Sequence, residues 1–292
     1  MSTTFSAESI RFVSARGLQF RVFDQGQGAP VLLLHGFPDS LDLWAATAQP
    51  LLAAGYRVIA YDQRGYGESD APRSTAAYDI EEIAADAPAI LDALGITQPV
   101  YLMGHDWGAV VAWAVTLFYP ERVRALVAVS VGHPQSYSRG GLEQKLSKGL
   151  YIVLFQLRGL TEWYLLRAGG MRKWLGSGKH IDNVMRRMSR PGRLTAALNW
   201  YRANFKRGLF GKWGQAERPT LGVWSSDDAY LTETQMVNSQ RYVNSTWQYQ
   251  RIDQCGHWIP LEQPDRLANL ALDWFSQHQD TNSNAKAAVS HA

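Results

Sequence analysis

A single cysteine, Cys255, in 292 residues leaves no internal disulfide possible, so the chain depends on its core for stability. That usage suits a reducing compartment. The N-terminal MSTTFSAESI also lacks the basic start and apolar run of a secretory leader, so the expectation is a cytoplasmic protein. No stretch stays apolar for the ~20 residues a membrane-spanning helix needs. Net charge is small: 29 Lys and Arg against 26 Asp and Glu give a formal +3, too weak a bias to suggest nucleic acid as a partner. Two motifs are missing as well. There is no G-x-S-x-G, which argues against a serine esterase, and no H-E-x-x-H, so no metal is expected, and no cofactor either. Internal repeats and low-complexity linkers are absent.

What remains is an ordinary globular composition, 46% hydrophobic, with a clear rhythm. Ser9 to Val13 and Leu18 to Phe23 read as a strand pair. Val31 to Leu34, Arg57 to Tyr61, Val100 to Met103 and Val123 to Val131 are short apolar runs of the kind that form buried parallel strands. Ile80 to Leu94 has helical periodicity. From Pro134 to Arg218 the strand signal stops, and stretches such as YIVLFQLRGLTEWYLLRAGG and LTAALNWYRANF read as helices. Strands resume at Thr220 to Trp224 and Trp247 to Ile252, followed by a helix from Asp265 to Gln277. This pattern predicts an α/β fold, with residues 1–133 and 219–278 forming a mostly parallel sheet flanked by helices. Residues 134–218 are read as an inserted helical cap, and 279–292 as a frayed polar tail.

One corner of that pattern carries chemistry. In VYLMGHDWGAVVAW a strand passes into a helix through G-H-D-W-G, with Asp106 at the turn. Gly104 and Gly108 permit a sharp turn, and a helix N-terminus favours the negative charge. Alone, Asp106 reads as a helix N-cap. Its setting, however, is that of a nucleophile elbow with aspartate where serine is usual. A carboxylate is ionised at neutral pH and can attack strained or activated alkyl carbon without a base. Three further segments lie just past strand ends: HGFPDS (His35 to Ser40), SSDDAYL (Ser225 to Leu231) and CGHWIPLEQP (Cys255 to Pro264). Nucleophile, acid and histidine thus follow in the chain order of the α/β-hydrolases, at the sheet edge where such folds bind ligands.

On these residues, together with DQRGYGESD (Asp62 to Asp70), the chain resembles α/β-hydrolases of the epoxide hydrolase family, as far as Gln277. The resemblance implies Asp106 as nucleophile, His257 as base and Asp228, rather than its neighbour Asp227, as the acid that orients it. It implies an oxyanion hole from the backbone N–H groups of Phe37 and Trp107, on a loop containing His35, Gly36 and Pro38. Two cap tyrosines in family-like contexts, Tyr151 in YIVLFQ and Tyr201 in NWYR, become the proton donors to the epoxide oxygen. Tyr137 and Tyr164 lack such contexts and are read as structural, as is Cys255.

The implied reaction turns a small apolar epoxide and water into a vicinal diol through an ester on Asp106. A haloalkane dehalogenase would share the nucleophile but would carry Asn in place of Phe37 and would not need both tyrosines. A fluoroacetate-type dehalogenase would carry Arg in place of Trp107. A non-catalytic relative would have lost a member of the triad. The basic runs Arg172 to Trp174 and Arg186 to Arg190 read as solvated helix faces, with attraction to anionic substrates or a membrane surface as the other reading. The chain could also form a homo-oligomer.

Overall fold

The computed structural model describes residues 4–141, 144, 148–176 and 178–279. Among these, the apolar runs form one sheet: β1 (Ile10–Ala15), β2 (Leu18–Gln25), β3 (Pro30–Leu34), β4 (Arg57–Tyr61), β5 (Val100–His105), β6 (Val123–Val129), β7 (Thr220–Ser225) and β8 (Trp247–Ile252). Their order across the sheet is β1-β2-β4-β3-β5-β6-β7-β8. The β1–β2 and β2–β4 pairs are antiparallel, and the others are parallel.

Side chains alternate across the central strands, and both faces are covered. Leu32 and Leu34 of β3, Ile59 and Tyr61 of β4, and Val100 and Leu102 of β5 enter one hydrophobic cluster. Val31, Leu33, Val58, Ala60, Tyr101 and Met103, from the same strands, enter the other. This period of two, with apolar residues on both faces, is why these segments read as unbroken apolar runs.

Two boundaries depart from the sequence reading for local reasons. The helix expected over Ile80 to Leu94 divides at Ala85 into Ile80–Ala84 and Asp86–Ala93. Pro88 has no N–H to offer the carbonyl of Ala84, four residues back. β6 ends at Val129, short of Val131, because Ser130 takes a φ of 69° and leaves the extended conformation. Of the expected frayed tail, only Gln279 lies among the described residues.

Between β6 and β7 the described residues form helices Pro134–Ser138, Leu150–Leu154, Leu160–Leu166, Gly170–Leu175, Lys179–Met188 and Arg193–Phe210. Phe155, Leu165, Trp200 and Tyr201 of this segment join the hydrophobic cluster on one sheet face, so the segment is continuous with that core. Arginines fasten it as well. The basic run from Arg186 to Arg190, expected on a solvated face, is only partly so. Arg186 is exposed, but Arg187 bonds Ser40 and lies 3.6 Å from Asp42, and Arg190 donates to the Gly67 carbonyl at 3.1 Å. Acceptors contributed by the loops after β3 and β4 draw Arg187 into a partly buried bridge, while Arg190 stays exposed as it reaches the Gly67 carbonyl.

Candidate active site

Strands β4 and β5 leave β3 on opposite sides, so the sheet changes winding direction between β3 and β5. The crevice beyond their carboxyl ends is where such sheets accept ligands. HGFPDS follows β3 and the elbow follows β5, so both segments open onto that crevice. The elbow needs its glycines. A Cβ on Gly104 would lie 2.2 Å from the Gly108 carbonyl oxygen, and one on Gly108 would lie 2.0 Å from that of Leu34. Asp106 itself has φ 54° and ψ −124°, a conformation most L-residues avoid. It sits immediately before the helix Trp107–Phe118, whose first N–H groups have no partner within the helix.

The carboxylate of Asp106 is divided between two neighbours. Its Oδ1 accepts the Phe37 N–H at 2.7 Å, and its Oδ2 lies 3.5 Å from His257 Nε2. The other imidazole nitrogen, Nδ1, is 2.8 Å from Asp228 Oδ2. Asp228 Oδ1 accepts the N–H groups of Tyr230 and Leu231 at 2.7 and 2.9 Å. Asp227 is exposed and takes a hydrogen bond from Ser226, so Asp228 is the acid facing the imidazole. Burial works against ionisation of Asp228, but His257 and the two N–H donors outweigh it and hold its pKa below the usual carboxylate value.

His257 is buried and shared between two carboxylates. Burial disfavours its charged form, but attraction by Asp228 and Asp106 prevails and lifts its pKa to about 10. The sign of the pH effect follows. A pKa raised by folding contributes stability in full below about pH 6.5, and that contribution is lost as pH rises towards 10. The melting temperature of the wild type should therefore fall across that interval more steeply than that of His257→Gln. Equal slopes in thermal melts of the two proteins would show that another group is responsible. Its carbonyl is fixed too, by His105 Nε2 at 2.8 Å and by the Ser130 hydroxyl at 3.3 Å. Burial pushes the His105 pKa down to about 4, leaving a neutral ring that can donate through Nε2.

The loop after β3 is organised by His35. Its Nε2 accepts the Gln63 N–H at 3.0 Å, which leaves Nδ1 as the donor to the Gly36 carbonyl at 2.9 Å. Gly36 allows close approach, since a Cβ there would lie 2.3 Å from Asp106 Oδ1. The Phe37–Pro38 bond is cis. Trp107 opens its helix, so its N–H also lacks an intrahelical partner beside Asp106.

Beyond Asp106 lies a cavity of about 160 Å³, bordered by Asp106, Trp107, Val110, Tyr151, Tyr201 and Phe205, among others. The rings of Tyr151 and Tyr201 lie 6.0 Å apart. Burial, the neighbouring tyrosines and the charge of Asp106 raise both pKa values well above the usual phenol value, so both hydroxyls stay protonated. Tyr137, read from sequence as structural, also borders this cavity. Tyr164 does not; it is exposed, with its ring against Gly170. Sequence reasoning also passed over an aromatic wall. Trp174 lies 5.3 Å from Tyr151 and 5.9 Å from Phe37, and Tyr230 lies 5.0 Å from His257. Tyr230 could have been suspected from its position two residues after Asp228. Trp174 carried no such signal.

Comparison with known proteins identifies the fold family. The profile of the alpha/beta hydrolase fold family matches residues 29–264. The chain is 31% identical to the AB hydrolase superfamily protein YfhM of Bacillus subtilis, over 91% of this chain and 97% of that one. It is 30% identical to Epoxide hydrolase A of Mycobacterium tuberculosis, over 92% and 98%. Among solved structures, Epoxide Hydrolase A from Mycobacterium thermoresistibile superposes with a TM-score of 0.81 at 26% identity, covering 93% of this chain and 99% of that one.

Proposed function

The chain belongs to the epoxide hydrolase family of the α/β-hydrolase superfamily, and from that premise we propose that it converts an epoxide and water to a vicinal diol through an ester on Asp106. The observation that carries this reading is the pairing of two protonated tyrosines, Tyr201 buried and Tyr151 partly buried, with the Asp106 carboxylate around one cavity. An epoxide needs both attack at carbon and a proton at oxygen, whereas a departing halide needs no proton.

In the first step Asp106 Oδ2 forms a bond to an epoxide carbon. The ring C–O bond breaks, its electron pair goes to the ring oxygen, and that oxygen takes a proton from Tyr151 or Tyr201. Esterification neutralises Asp106 and so removes one of the two charges that hold the proton on His257. The proton His257 then releases can restore the tyrosine. The neutral imidazole, held by Asp228, takes a proton from water, and that water attacks the ester carbonyl carbon. The N–H groups of Phe37 and Trp107 stabilise the oxyanion. When the intermediate collapses, the diol oxygen leaves with the proton held by His257, and the carboxyl group left on Asp106 passes its remaining proton to the imidazole, which restores the carboxylate and the charged His257. Residues 134–218 act as the cap that supplies the tyrosines and closes the cavity over the sheet.

Replacing each tyrosine with phenylalanine tests this reading. Tyr151→Phe and Tyr201→Phe should each slow ring opening, and the double variant should nearly stop it, with non-additive effects because each donor partly covers for the other. Single-turnover assays of diol from styrene oxide, and of halide from a bromoalkane, provide the check. Normal alkylation by the epoxide in the double variant would remove the tyrosines from the mechanism. Halide release at a rate comparable with diol formation would point to a dehalogenase.

A further inference from the structure

Exposed apolar side chains are not scattered evenly over this protein. Of eleven large hydrophobic side chains exposed among the described residues, seven fall within residues 150–164. They include Leu150, Val153, Leu154, Leu157, Leu160 and Trp163, each about half exposed or more. The segment is nevertheless well attached, because Phe155 and Leu165 between them are 4% and 3% exposed and belong to the main hydrophobic cluster. One side of these two helices is anchored and the other exposes a cluster of apolar side chains within one short stretch of chain. A patch of this kind on a water-soluble surface marks an interaction site.

Charge indicates the partner. Residues 134–218 carry seventeen Lys and Arg against four Asp and Glu, a net +13, while the rest of the chain carries twelve against twenty-two, a net −10. Part of the positive charge is used internally: Arg202 pairs with Glu162, Arg187 approaches Asp42, and Arg207 pairs with Glu81. Near the apolar face, Arg158, Arg167 and Lys173 are exposed, and Arg172, also exposed, pairs with Asp182 at 2.8 Å. A symmetric dimer through this face would press two strongly positive segments together. A leucine- and tryptophan-bearing face within a cationic segment matches a lipid surface with anionic headgroups.

We infer that the face formed by residues 150–164 docks on anionic membrane surfaces, lying on the bilayer without crossing it. No described helix is long and apolar enough to cross a membrane, which leaves an interfacial position as the mode open to this face. The helix Leu150–Leu154 connects the docked face to the cavity. Tyr151 and Ile152 border the cavity, and Val153 both borders it and is half exposed. Docking therefore brings the cavity wall against the lipid, where apolar molecules accumulate. The docking itself does not depend on the reaction proposed above.

The test is co-sedimentation of the full-length chain with vesicles of phosphatidylcholine alone or containing phosphatidylglycerol. Binding should be about tenfold or more stronger on the anionic vesicles and should weaken in high salt. The triple variant Leu154→Ser, Leu160→Ser, Trp163→Ser should lose about tenfold or more of that binding. It should keep its circular dichroism spectrum and its turnover of dissolved styrene oxide. Arg167→Glu with Lys173→Glu should weaken binding without altering the apolar face. No preference for anionic vesicles, or full binding by the triple variant, would overturn the inference. A lipid-free dimer in sedimentation equilibrium that the triple variant dissociates would overturn it in favour of a second copy of the chain.

Discussion

Asp106→Ala is expected to lower diol formation by at least about a thousandfold while leaving a folded protein, because in the proposed mechanism the variant removes the atom that attacks carbon. The side chain does little packing: apart from the Phe37 N–H, the Gly36 backbone and the His257 ring, it faces the cavity. Alanine does leave the buried Phe37 N–H without its acceptor, an expected cost of about 1–3 kcal/mol visible as a lower melting temperature. Asp106→Asn separates the two effects. Its side-chain oxygen can still accept from Phe37, so stability should return towards the wild type without the carboxylate's nucleophilicity. A folded Asp106→Ala enzyme that kept more than about a hundredth of its activity would exclude covalent catalysis by this residue.

In the same proposed mechanism, His257→Gln should affect only the second half of the reaction. Removing the ring altogether would leave Asp228 buried without its partner, at an expected cost of about 3–5 kcal/mol, whereas the glutamine amide can still donate to it. With no base to activate water, the ester should accumulate, and the protein mass should rise by the mass of one epoxide while steady-state turnover collapses. Isotope labelling in the wild type gives the complementary readout. A single turnover in ¹⁸O-water, with enzyme in excess, should yield mostly unlabelled diol and place the label in the peptide containing Asp106. Labelled diol in that first turnover, with no label in the protein, would mean that water attacks the epoxide directly and that Asp106 acts as a base.

The sheet was legible because its strands are short apolar runs whose alternate side chains are buried on both faces, as in Val100 to Met103. The helix from Ile80 was legible in its period but not in its break, which depends on one missing N–H at Pro88. At the site, Asp106, Asp228 and His257 could be picked out because each stands in a short motif just past a strand, and the fold brings them within hydrogen-bonding or ion-pair distance. Tyr137, Trp174 and His105 could not be assigned in this way. Aromatic rings that converge from separate helices leave no mark in spacing, and a neutral histidine supporting a carbonyl looks like any buried residue beside a motif. The bridging arginines were obscure for a related reason: the partners that changed their role are more than a hundred residues away in the chain.

The unequal surroundings of the two Asp106 oxygens carry a consequence for bookkeeping over successive cycles. Oδ1 is tethered to the Phe37 amide, and Oδ2 faces the imidazole at 3.5 Å. If Oδ2 is the atom that joins carbon, it departs with the diol and is replaced from water, whereas Oδ1 becomes the ester carbonyl oxygen and is retained. The carboxylate would then have one permanent oxygen and one renewable oxygen. Each enzyme molecule would carry a memory of its previous cycle: the oxygen delivered in one turnover is the water oxygen acquired in the turnover before. In ¹⁸O-water the second diol released should then be fully labelled. If the carboxylate turned over freely between cycles, that step would blur into a gradual rise.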